Sequence, residues 1–455
     1  MAKKPVTRYV CGNCGAVQSS WSGRCPQCGE WNTLQEELSP VAVASAVAQG
    51  RVLRPKTVKG SVASDQPRLR TGLAEVDDVF GGGIVAGSVN LIAGQPGIGK
   101  STLLLQLAYL VAAKAPVLYI SGEESAHQIG LRAARLGASR KELQLATSTS
   151  ADDIAATIAA GEYKLVIVDS VQTVSCSAIT SAAGSVSQVT GATQLLTVAA
   201  KQSDTAVILV GHVTKEGSIA GPKVLEHVVD VVLQLEGDRY GGFKLLRAVK
   251  NRFGSTDEAG IFEMAENGLQ PVVNPSAALL AERQASDGSI VLATLEGTRP
   301  LLVEVQALVN RTAYGYPKRA ASGFDLNRLN LLVAMLERRT KLKLAEYDIY
   351  INIVGGIQIR EPAADLAICL AIGSAAKGLQ LKKNAVVFGE VGLSGEVRHV
   401  PHAEKRLAEA RKLGFDGAIG PRQRSGTNGA KAPKLANLHG VADVRSALNQ
   451  FLEKD

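Results

Sequence analysis

The segment GQPGIGKST (94–102) has the full spacing of a phosphate-binding loop, GxxxxGK[ST]. It follows an apolar run predicted to be a strand and opens an apolar helix, which is the context that this loop requires. Backbone N–H groups of such a loop cradle phosphates, Lys100 reaches the β- and γ-phosphates, and Ser101 offers a hydroxyl to Mg²⁺. The pattern therefore predicts bound ATP and Mg²⁺. The predicted contacts are Gly94, Gln95, Pro96, Gly97, Ile98, Gly99, Lys100, Ser101 and Thr102.

Acidic residues follow two other predicted strands. Asp169 ends the run KLVIVD and is predicted to hold Mg²⁺, although a carboxylate capping the next turn would give the same pattern. Glu123 and Glu124 follow the run PVLYIS. Because ligands bind at the carboxyl ends of strands in a parallel sheet, Glu123 is predicted to polarise the attacking water, with Glu124 as second choice.

A histidine and two cations stand at the ends of further predicted strands. His212 ends AVILVGH, where it is either a γ-phosphate sensor or a plain structural residue. Lys250 and Arg252 lie at the end of FKLLRAVK, about one domain's length beyond the phosphate-binding loop. Their side chains are expected to point the same way. Taken alone, the two cations also fit a solvated strand end.

Clustered cysteines form a second site. Four of the six cysteines lie in 18 residues with the spacing CxxC, ten residues, CxxC: Cys11, Cys14, Cys25 and Cys28. Two such knuckles aim four thiolates at one point, a closed set that suits structural Zn²⁺ and leaves no position for catalysis. An iron–sulfur cluster and redox disulfides are the minor alternatives. Trp21 and Arg24, which look exposed, fit either a nucleic-acid or a protein partner.

Several domains must position these groups, because the chain has 455 residues. From about Leu69, short apolar runs alternate with helix-like stretches. This alternation predicts an α/β fold with a mostly parallel sheet covered on both faces. The predicted strands are 88–93, 116–121, 164–169, 206–211, 228–235 and 243–250.

Composition suggests four parts. Residues 1–35 form the four-cysteine domain, and 36–66 are a small, polar and basic linker. The phosphate-binding core is predicted over 67–273. A third block of α+β type, 274–455, contains a long amphipathic helix over 326–340.

The charge distribution favours a polyanionic partner. The net charge is +8, and residues 1–70 hold ten Lys/Arg against four Asp/Glu. We find no apolar run long enough to span a bilayer, and the N-terminus lacks the apolar core of a signal peptide. We therefore expect a cytoplasmic protein with no membrane partner.

The phosphate-loop and aspartate spacing and the GEES carboxylates (122–125) resemble the RecA-like ATPases. With the cysteine knuckle and KNRFG (250–254), the whole chain resembles the bacterial RadA, or Sms, family of DNA recombination and repair ATPases. The resemblance implies a hexameric ring that binds single-stranded and branched DNA and drives branch migration with the RecA recombinase. It also implies that Lys250 and Arg252 act on the γ-phosphate held by a neighbouring protomer. The predicted catalytic set is then Lys100, Glu123, Asp169, Lys250 and Arg252.

In RecA-like motors two loops grip the DNA backbone inside the ring. The first candidate is 173–189, rich in small and hydroxylated residues and predicted to be flexible. The second is 214–227, which carries Lys215 and Lys223. Such contacts are electrostatic and independent of DNA sequence, and ordinary exposed loops are the alternative.

The C-terminal block resembles the proteolytic domain of the Lon protease, through IREPAADLAICLAIGSAAKG (359–378) and the segment after it. That family uses a Ser–Lys dyad, and the matching positions here are Ala363 and Glu404. Ser374 and Lys405 are close in sequence but off register. Because neither matching residue can do the chemistry, we expect no protease activity, only ring assembly and a basic face for DNA. Candidates for that face are Arg299, Arg311, Lys318, Arg319, Arg328, Arg338, Arg339 and Lys341.

Three other functions fit parts of the pattern. An ATP-dependent protease is suggested by the third block and opposed by Ala363 and Glu404. A non-motor ATP switch is possible because RecA-like signalling proteins also carry paired glutamates. A zinc adaptor that loads other proteins on DNA is the third. The knuckle, the basic N-terminus and KNRFG together favour the motor.

Overall fold

The computed structural model describes residues 7–38, 68–212, 224–237, 242–313, 315–422 and 437–453. The chain divides into two compact units, Met1–Asp65 and Gln66–Asp455. Residues 39–66 of the predicted linker lie outside the described residues.

The first unit is a small antiparallel sheet in the order β2-β1-β3. Its strands are β1 (Thr7–Cys11), β2 (Val17–Gln18) and β3 (Leu34–Leu38). The last strand therefore runs three residues beyond the predicted boundary at 35. The buried apolar residues are Cys11, Cys25 and Leu34. A core this small does not stabilise a fold alone, so a bound metal must supply the remaining folding free energy.

A nine-stranded sheet forms the first half of the second unit, in the order β12-β11-β10-β9-β4-β8-β7-β5-β6. The six neighbouring strands β9, β4, β8, β7, β5 and β6 are parallel. On the β9 side, β10, β11 and β12 extend the sheet as antiparallel neighbours. The strands are β4 (Val89–Gly94), β5 (Val117–Ser121), β6 (Leu143–Thr147), β7 (Leu165–Asp169), β8 (Ala206–His212), β9 (Val231–Gly237), β10 (Phe243–Asn251), β11 (Ala259–Ala265) and β12 (Gly268–Pro271).

Helices cover both faces of this sheet. They are α1 (Ala74–Phe80), α2 (Lys100–Val111), α3 (Ala126–Arg135), α4 (Ala151–Ala159), α5 (Val186–Ser203) and α6 (Leu225–Val228). Neighbouring strand residues enter different cores: Leu91 packs with α4 and α5, and Ile92 packs with α1 and α2. Because both faces are buried, the strands read as continuous apolar runs, and the predicted fold class is confirmed.

Two details of the strand prediction differ from the structure. The predicted run 228–235 begins only at Val231, because Leu225–Val228 is helical and Asp230 turns into the sheet to accept the Val89 N–H. The edge strand β6 and the antiparallel β11 and β12 were not predicted. In β6 (LQLAT) every position is partly buried or exposed, so no apolar run marks it.

The second half of this unit contains a seven-stranded sheet in the order β15-β16-β14-β13-β18-β21-β22. The strands of this half are β13 (Ser289–Glu296), β14 (Arg299–Arg311), β15 (Arg319–Ser322), β16 (Tyr347–Ile353), β17 (Gln380–Leu381), β18 (Ala385–Val387), β19 (Glu390–Val391), β20 (Val397–Arg398), β21 (Gly417–Pro421), β22 (Leu438–Val441) and β23 (Leu452–Glu453). Its helices are α7 (Pro275–Leu280), α8 (Leu326–Thr340), α9 (Asp365–Lys377), α10 (Ala403–Lys412) and α11 (Val444–Phe451). The predicted helix 326–340 is confirmed as α8.

Paired charges join the two halves of the second unit. Arg247 on β10 lies 3.2 Å from carboxylate oxygens of both Glu236 and Glu296. Arg299 on β14 contacts Glu75 on α1 at 2.6 Å. Burial raises the pKa of Glu296 to about 7, although Arg247 opposes the shift. These contacts tie the phosphate-binding half to the C-terminal half.

Candidate nucleotide site and metal centre

The loop between β4 and α2 has the backbone that a phosphate cradle needs. Gly97 and Gly99 have φ values of 78° and 114°, in the region that side chains disfavour. No side chain caps the N-terminus of α2, so its first N–H groups are free to bind a ligand. The positive end of the helix dipole points to the same place, which makes the loop an anion site.

Lys100 lies at the centre of this site, buried under the loop. Its ammonium donates to the carbonyls of Gly94 and Gln95 at 2.9 and 3.1 Å and lies 3.2 Å from His212 Nδ1. Burial lowers the pKa of Lys100 to about 8, against the opposing charges of Asp169 and Glu123. A bound phosphate would favour the charged form of this amine.

The acidic residues converge on the same point and are distinguished by their partners. Glu123 accepts a hydrogen bond from Ser170 Oγ at 2.5 Å and lies 3.5 Å from His212 Nε2. Glu124 is instead paired with Arg132 at 2.6 Å. The contacts therefore favour Glu123 over Glu124 as the residue that faces the phosphates, although its catalytic role stays a prediction.

Asp169 is buried beside a tyrosine that sequence reasoning missed. The Tyr119 hydroxyl donates to Asp169 Oδ2 at 2.6 Å. Burial raises the pKa of Tyr119 well above its usual range. The signal that could have found it is a hydroxyl inside the buried strand PVLYIS, where a buried polar group needs a partner.

Strand register explains why these residues meet. Gly94 on β4 pairs with His212 on β8, and Ser121 on β5 pairs with Asp169 on β7. All four strands are parallel, so their carboxyl ends form one edge of the sheet. The site is therefore assembled at a single edge from segments more than a hundred residues apart.

Lys250 and Arg252 lie at the opposite end of the strands, where the parallel strands begin. Lys250 pairs with Val232, which pairs with Leu91, and β10 runs antiparallel to both strands. The C-terminal end of β10 is therefore at the amino ends of β9 and β4, opposite the chain's own phosphate loop. Sequence reasoning placed the two cations at a strand end, and this is confirmed.

The two cations have different surroundings. Lys250 Nζ donates to the carbonyls of Glu226 and Val229, at 2.5 and 2.8 Å, and burial lowers its pKa. Arg252 pairs with Asp230 at 3.1 Å, and its side chain is 51% exposed. A register shift between Ala248 and Lys250 interrupts the ladder just before the two cations, and β10 ends at Asn251. That the two side chains point the same way stays a prediction.

The four cysteines of the first unit form a metal centre. Their Sγ atoms all lie within 4.8 Å of one another. Cys11–Cys28 and Cys14–Cys25 are each 3.7 Å apart. A tetrahedral site with Zn–S bonds of about 2.3 Å has sulfurs about 3.8 Å apart, so the set fits Zn²⁺ and is too open for disulfides. The Thr33 hydroxyl beside Cys11 lowers the pKa of that thiol to about 6.

The loop 173–189 is organised by one side chain that sequence reasoning overlooked. Gln188 is buried, accepts from the Cys176 N–H at 2.8 Å, and donates to the Ile179 and Ser181 carbonyls. The prediction of a flexible loop did not anticipate this network. In the other predicted loop, 214–227, Lys215 and Lys223 lie outside the described residues.

In the C-terminal half, the residues at the positions of the protease dyad do not form a Ser–Lys pair. Ala363 is buried and Glu404 is exposed on the first turn of α10. The Ser374 hydroxyl is buried, donates to the Leu379 carbonyl and accepts the Gly288 N–H. Lys405 Nζ instead donates to the Thr298 carbonyl, at 3.3 Å. The described residues at these positions form no serine–lysine pair.

Three family models match the chain. An AAA domain matches residues 55–218, a rubredoxin metal-binding domain matches 9–36, and subunit ChlI of Mg-chelatase matches 331–424. The first two coincide with the phosphate loop and the cysteine cluster. They support ATP and Zn²⁺ as the bound nucleotide and metal.

Whole-chain relatives are more specific. A DNA repair protein RadA from Bacillus subtilis is 48% identical over 99% of this chain and 99% of its own length. The chain belongs to the RadA family of DNA repair proteins. A RadA from Pseudomonas aeruginosa is 45% identical over 99% of this chain and all of its own. The RadB recombinase crystal structure matches 45% of this chain and 99% of its own at 21% identity, with a TM-score of 0.36, which adds nothing to the assignment.

Membership in the RadA family confirms the resemblance seen in the sequence. With the AAA domain, it identifies an ATP-hydrolysing enzyme. Among the described residues, no helix is long and apolar enough to cross a membrane.

Lys100 should make nucleotide binding sensitive to pH. With a pKa of about 8 its amine becomes neutral as the pH rises through 8, whereas bound phosphates favour the ammonium form. Binding must then take up a proton, so affinity for a non-hydrolysable ATP analogue should fall by up to about tenfold per pH unit above pH 8. Titration calorimetry in buffers of different ionisation enthalpy measures that uptake. Lys100→Arg, charged throughout, should flatten the profile; an unchanged wild-type affinity up to about pH 9.5 contradicts the prediction.

Proposed function

We propose that this RadA-family chain is a DNA-dependent ATPase motor of homologous recombination and repair. It binds single-stranded and branched DNA and drives branch migration together with the RecA recombinase. It works in the cytoplasm as a hexameric ring helicase and serves the response to DNA damage. The four-part division at residues 35, 66 and 273 is proposed as its domain organisation.

The observation that carries the proposal is the separation of two charged groups by the central sheet. The phosphate loop, Lys100 and Glu123 are at one edge, and Lys250 and Arg252 are at the other. One chain cannot bring both sets to one nucleotide. A head-to-tail ring brings the cation edge of one copy to the phosphate edge of the next.

Within one chain, each residue has a part in ATP hydrolysis. The α2 N-terminus and Lys100 bind and orient the phosphates, and His212 links Lys100 to Glu123. Glu123 orients a water and takes up its proton, while Ser170 holds the carboxylate in place. In the neighbouring copy, Lys250 or Arg252 stabilises the charge that develops on the transferred phosphoryl group.

Mg²⁺ fits the oxygen donors beside this loop. Asp169 at the end of β7 offers a carboxylate and Ser101 in the first turn of α2 offers a hydroxyl, and both are oxygen donors of the kind that Mg²⁺ prefers. When bound there, the ion neutralises charge on the β- and γ-phosphates. Tyr119 fixes the direction of the Asp169 carboxylate.

DNA binding is proposed for the exposed cations of the C-terminal half. Arg299 and Arg328 are held in ion pairs with Glu75 and Asp365 and are unsuited to it. Lys318, Arg338 and Lys341 are exposed, and in the part of the chain that the structure describes they form no ion pair. These three are the better candidates, and the absence of a dyad at Ala363 and Glu404 supports a role without proteolysis.

The test is ATP hydrolysis at low salt, with and without single-stranded DNA. We expect stimulation by about tenfold or more, decreasing with salt because the contacts are to phosphates. Lys100→Ala, which removes the phosphate contact, is the control for contaminating activity. Bound DNA without stimulation would contradict the motor and favour an ATP switch or adaptor.

A further inference from the structure

Both tryptophans of the chain lie in the zinc-binding unit and face solvent. The sequence has only Trp21 and Trp31, and these residues are 57% and 68% exposed. Tryptophan is the side chain that loses most by exposure, since it can bury a large apolar area. Neither ring belongs to the small core around Cys11, Cys25 and Leu34.

The two rings share one face of the unit. A Cβ atom placed on Gly23 would lie 3.6 Å from the Trp31 ring and 3.8 Å from the Trp21 ring. Gly23 therefore lies beside both rings, and the two rings are close to each other on this face. The Arg24 guanidinium lies 5.8 Å from the Trp31 ring centroid, close enough for a cation–π contact.

The backbone holds this face in place. Arg24 and Trp31 form an antiparallel bridge, and the Asn32 N–H donates to the Gly23 carbonyl at 2.9 Å. Arg24 Nε donates to the Gly29 carbonyl at 2.7 Å. The rings and the cation are thus attached to the metal knuckle rather than to a free loop, so little ordering is needed for a ligand to bind.

We infer that Trp21, Trp31 and Arg24 form a stacking platform for the bases of single-stranded DNA. Aromatic rings with an arginine beside them are the groups that bind unpaired bases, whatever their sequence. The residues next to the two rings in sequence, Ser20, Ser22 and Asn32, are polar and exposed, and the group beside the Trp31 ring is a cation, which suits a nucleic acid better than an apolar protein surface.

This inference rests on the proposed binding of single-stranded DNA and assigns a part of it to the first unit. The platform holds bases by stacking, whereas the cations of the second unit hold phosphates. Because the only tryptophans are in the platform, tryptophan fluorescence reports on it alone.

The experiment titrates the full-length protein with oligo(dT) and with an abasic oligomer of equal length and phosphate number. Tryptophan emission reports stacking, and anisotropy of a labelled strand reports binding independently. We expect oligo(dT) to quench emission with the same midpoint as the anisotropy change, and the abasic strand to leave emission unchanged. Trp31→Ala should weaken oligo(dT) binding by about 5- to 100-fold, and Trp31→Phe should restore most of it.

Val17→Ala is the matched control, because Val17 is also exposed on this unit, at 55%, and is not aromatic. It should leave affinity unchanged, and zinc content should confirm that each variant keeps its metal. DNA bound without quenching, or equal quenching by the abasic strand, overturns the platform and leaves the proposed function intact. Quenching by a recombinase protein and not by DNA also overturns it. No anisotropy change at all means that the proposed DNA binding itself has failed.

Discussion

Glu123→Gln should lower kcat for ATP hydrolysis by about 10²- to 10⁴-fold while ATP still binds. Glutamine keeps the shape of the side chain and can still contact Ser170 and His212, but it cannot accept a proton from water. Steady-state hydrolysis and binding of a fluorescent nucleotide measure the two effects separately.

Glu124→Gln is the matched control for this substitution. Glu124 is the neighbouring carboxylate, but it pairs with Arg132 and not with the residues around Lys100. Its loss should change kcat by less than about threefold, because this part-buried pair stabilises the fold by only about 1 kcal/mol and does not contact Lys100. A large loss in Glu124→Gln with normal activity in Glu123→Gln would reverse the assignment of the catalytic base.

Lys250→Ala should lower kcat by about 10³-fold, because a cation supplied by a neighbour stabilises the charge of phosphoryl transfer. The decisive measurement mixes this variant with Lys100→Ala. Each variant alone is inactive, but in a mixed ring about a quarter of the interfaces join an intact phosphate loop to an intact Lys250. Hydrolysis should therefore return on mixing.

Lys201→Ala is the control for removing a cation at the same edge, since Lys201 is 55% exposed and lies 4.0 Å from Asp230. It should keep full activity. An inactive Lys250→Ala that mixing does not rescue would mean that Lys250 serves its own chain, through the Glu226 and Val229 carbonyls. A loss of thermal stability in that variant would point the same way. Full activity of hexameric Lys250→Ala would exclude both roles.

Arg252→Ala distinguishes the role of Arg252 from that of Lys250. In this chain Lys250 is held by backbone carbonyls and Arg252 is half exposed, so Arg252 is the freer of the two to reach a neighbour. The same mixing measurement shows which of them acts across the interface.

The amino-acid sequence by itself determined the features that depend on short spacing. The loop over 94–102 and the CxxC pairs require a few residue types within a few positions. The short motif itself contains the groups that bind the phosphates or the metal, so the sequence pattern is enough to predict the site. The buried strands were also readable, because a sheet covered on both faces demands continuous apolar runs. Edge strand β6 was not predicted for the same reason, because none of its residues is fully buried and it carries no continuous apolar run.

Tertiary structure alone decided which of several equivalent residues lie in the site. Glu123 and Glu124 are neighbours in sequence, but the fold places Glu123 beside Ser170 and His212 and pairs Glu124 with Arg132. Tyr119 meets Asp169 because β5 pairs with β7, and Gly94 meets His212 because β4 pairs with β8. Such contacts are set by the register of strands far apart in the chain, which no local pattern encodes.

The same holds for the cations. Arg299 and Arg328 looked as free as Lys318 in the sequence, but folding pairs them with carboxylates. Family resemblance alone linked Lys250 to the γ-phosphate held by a neighbouring protomer. The antiparallel turn into β10 places it at the end of the sheet opposite this chain's own phosphate loop. Whether a charge is available depends on what the fold brings beside it, because an ion pair is a property of position and not of residue type.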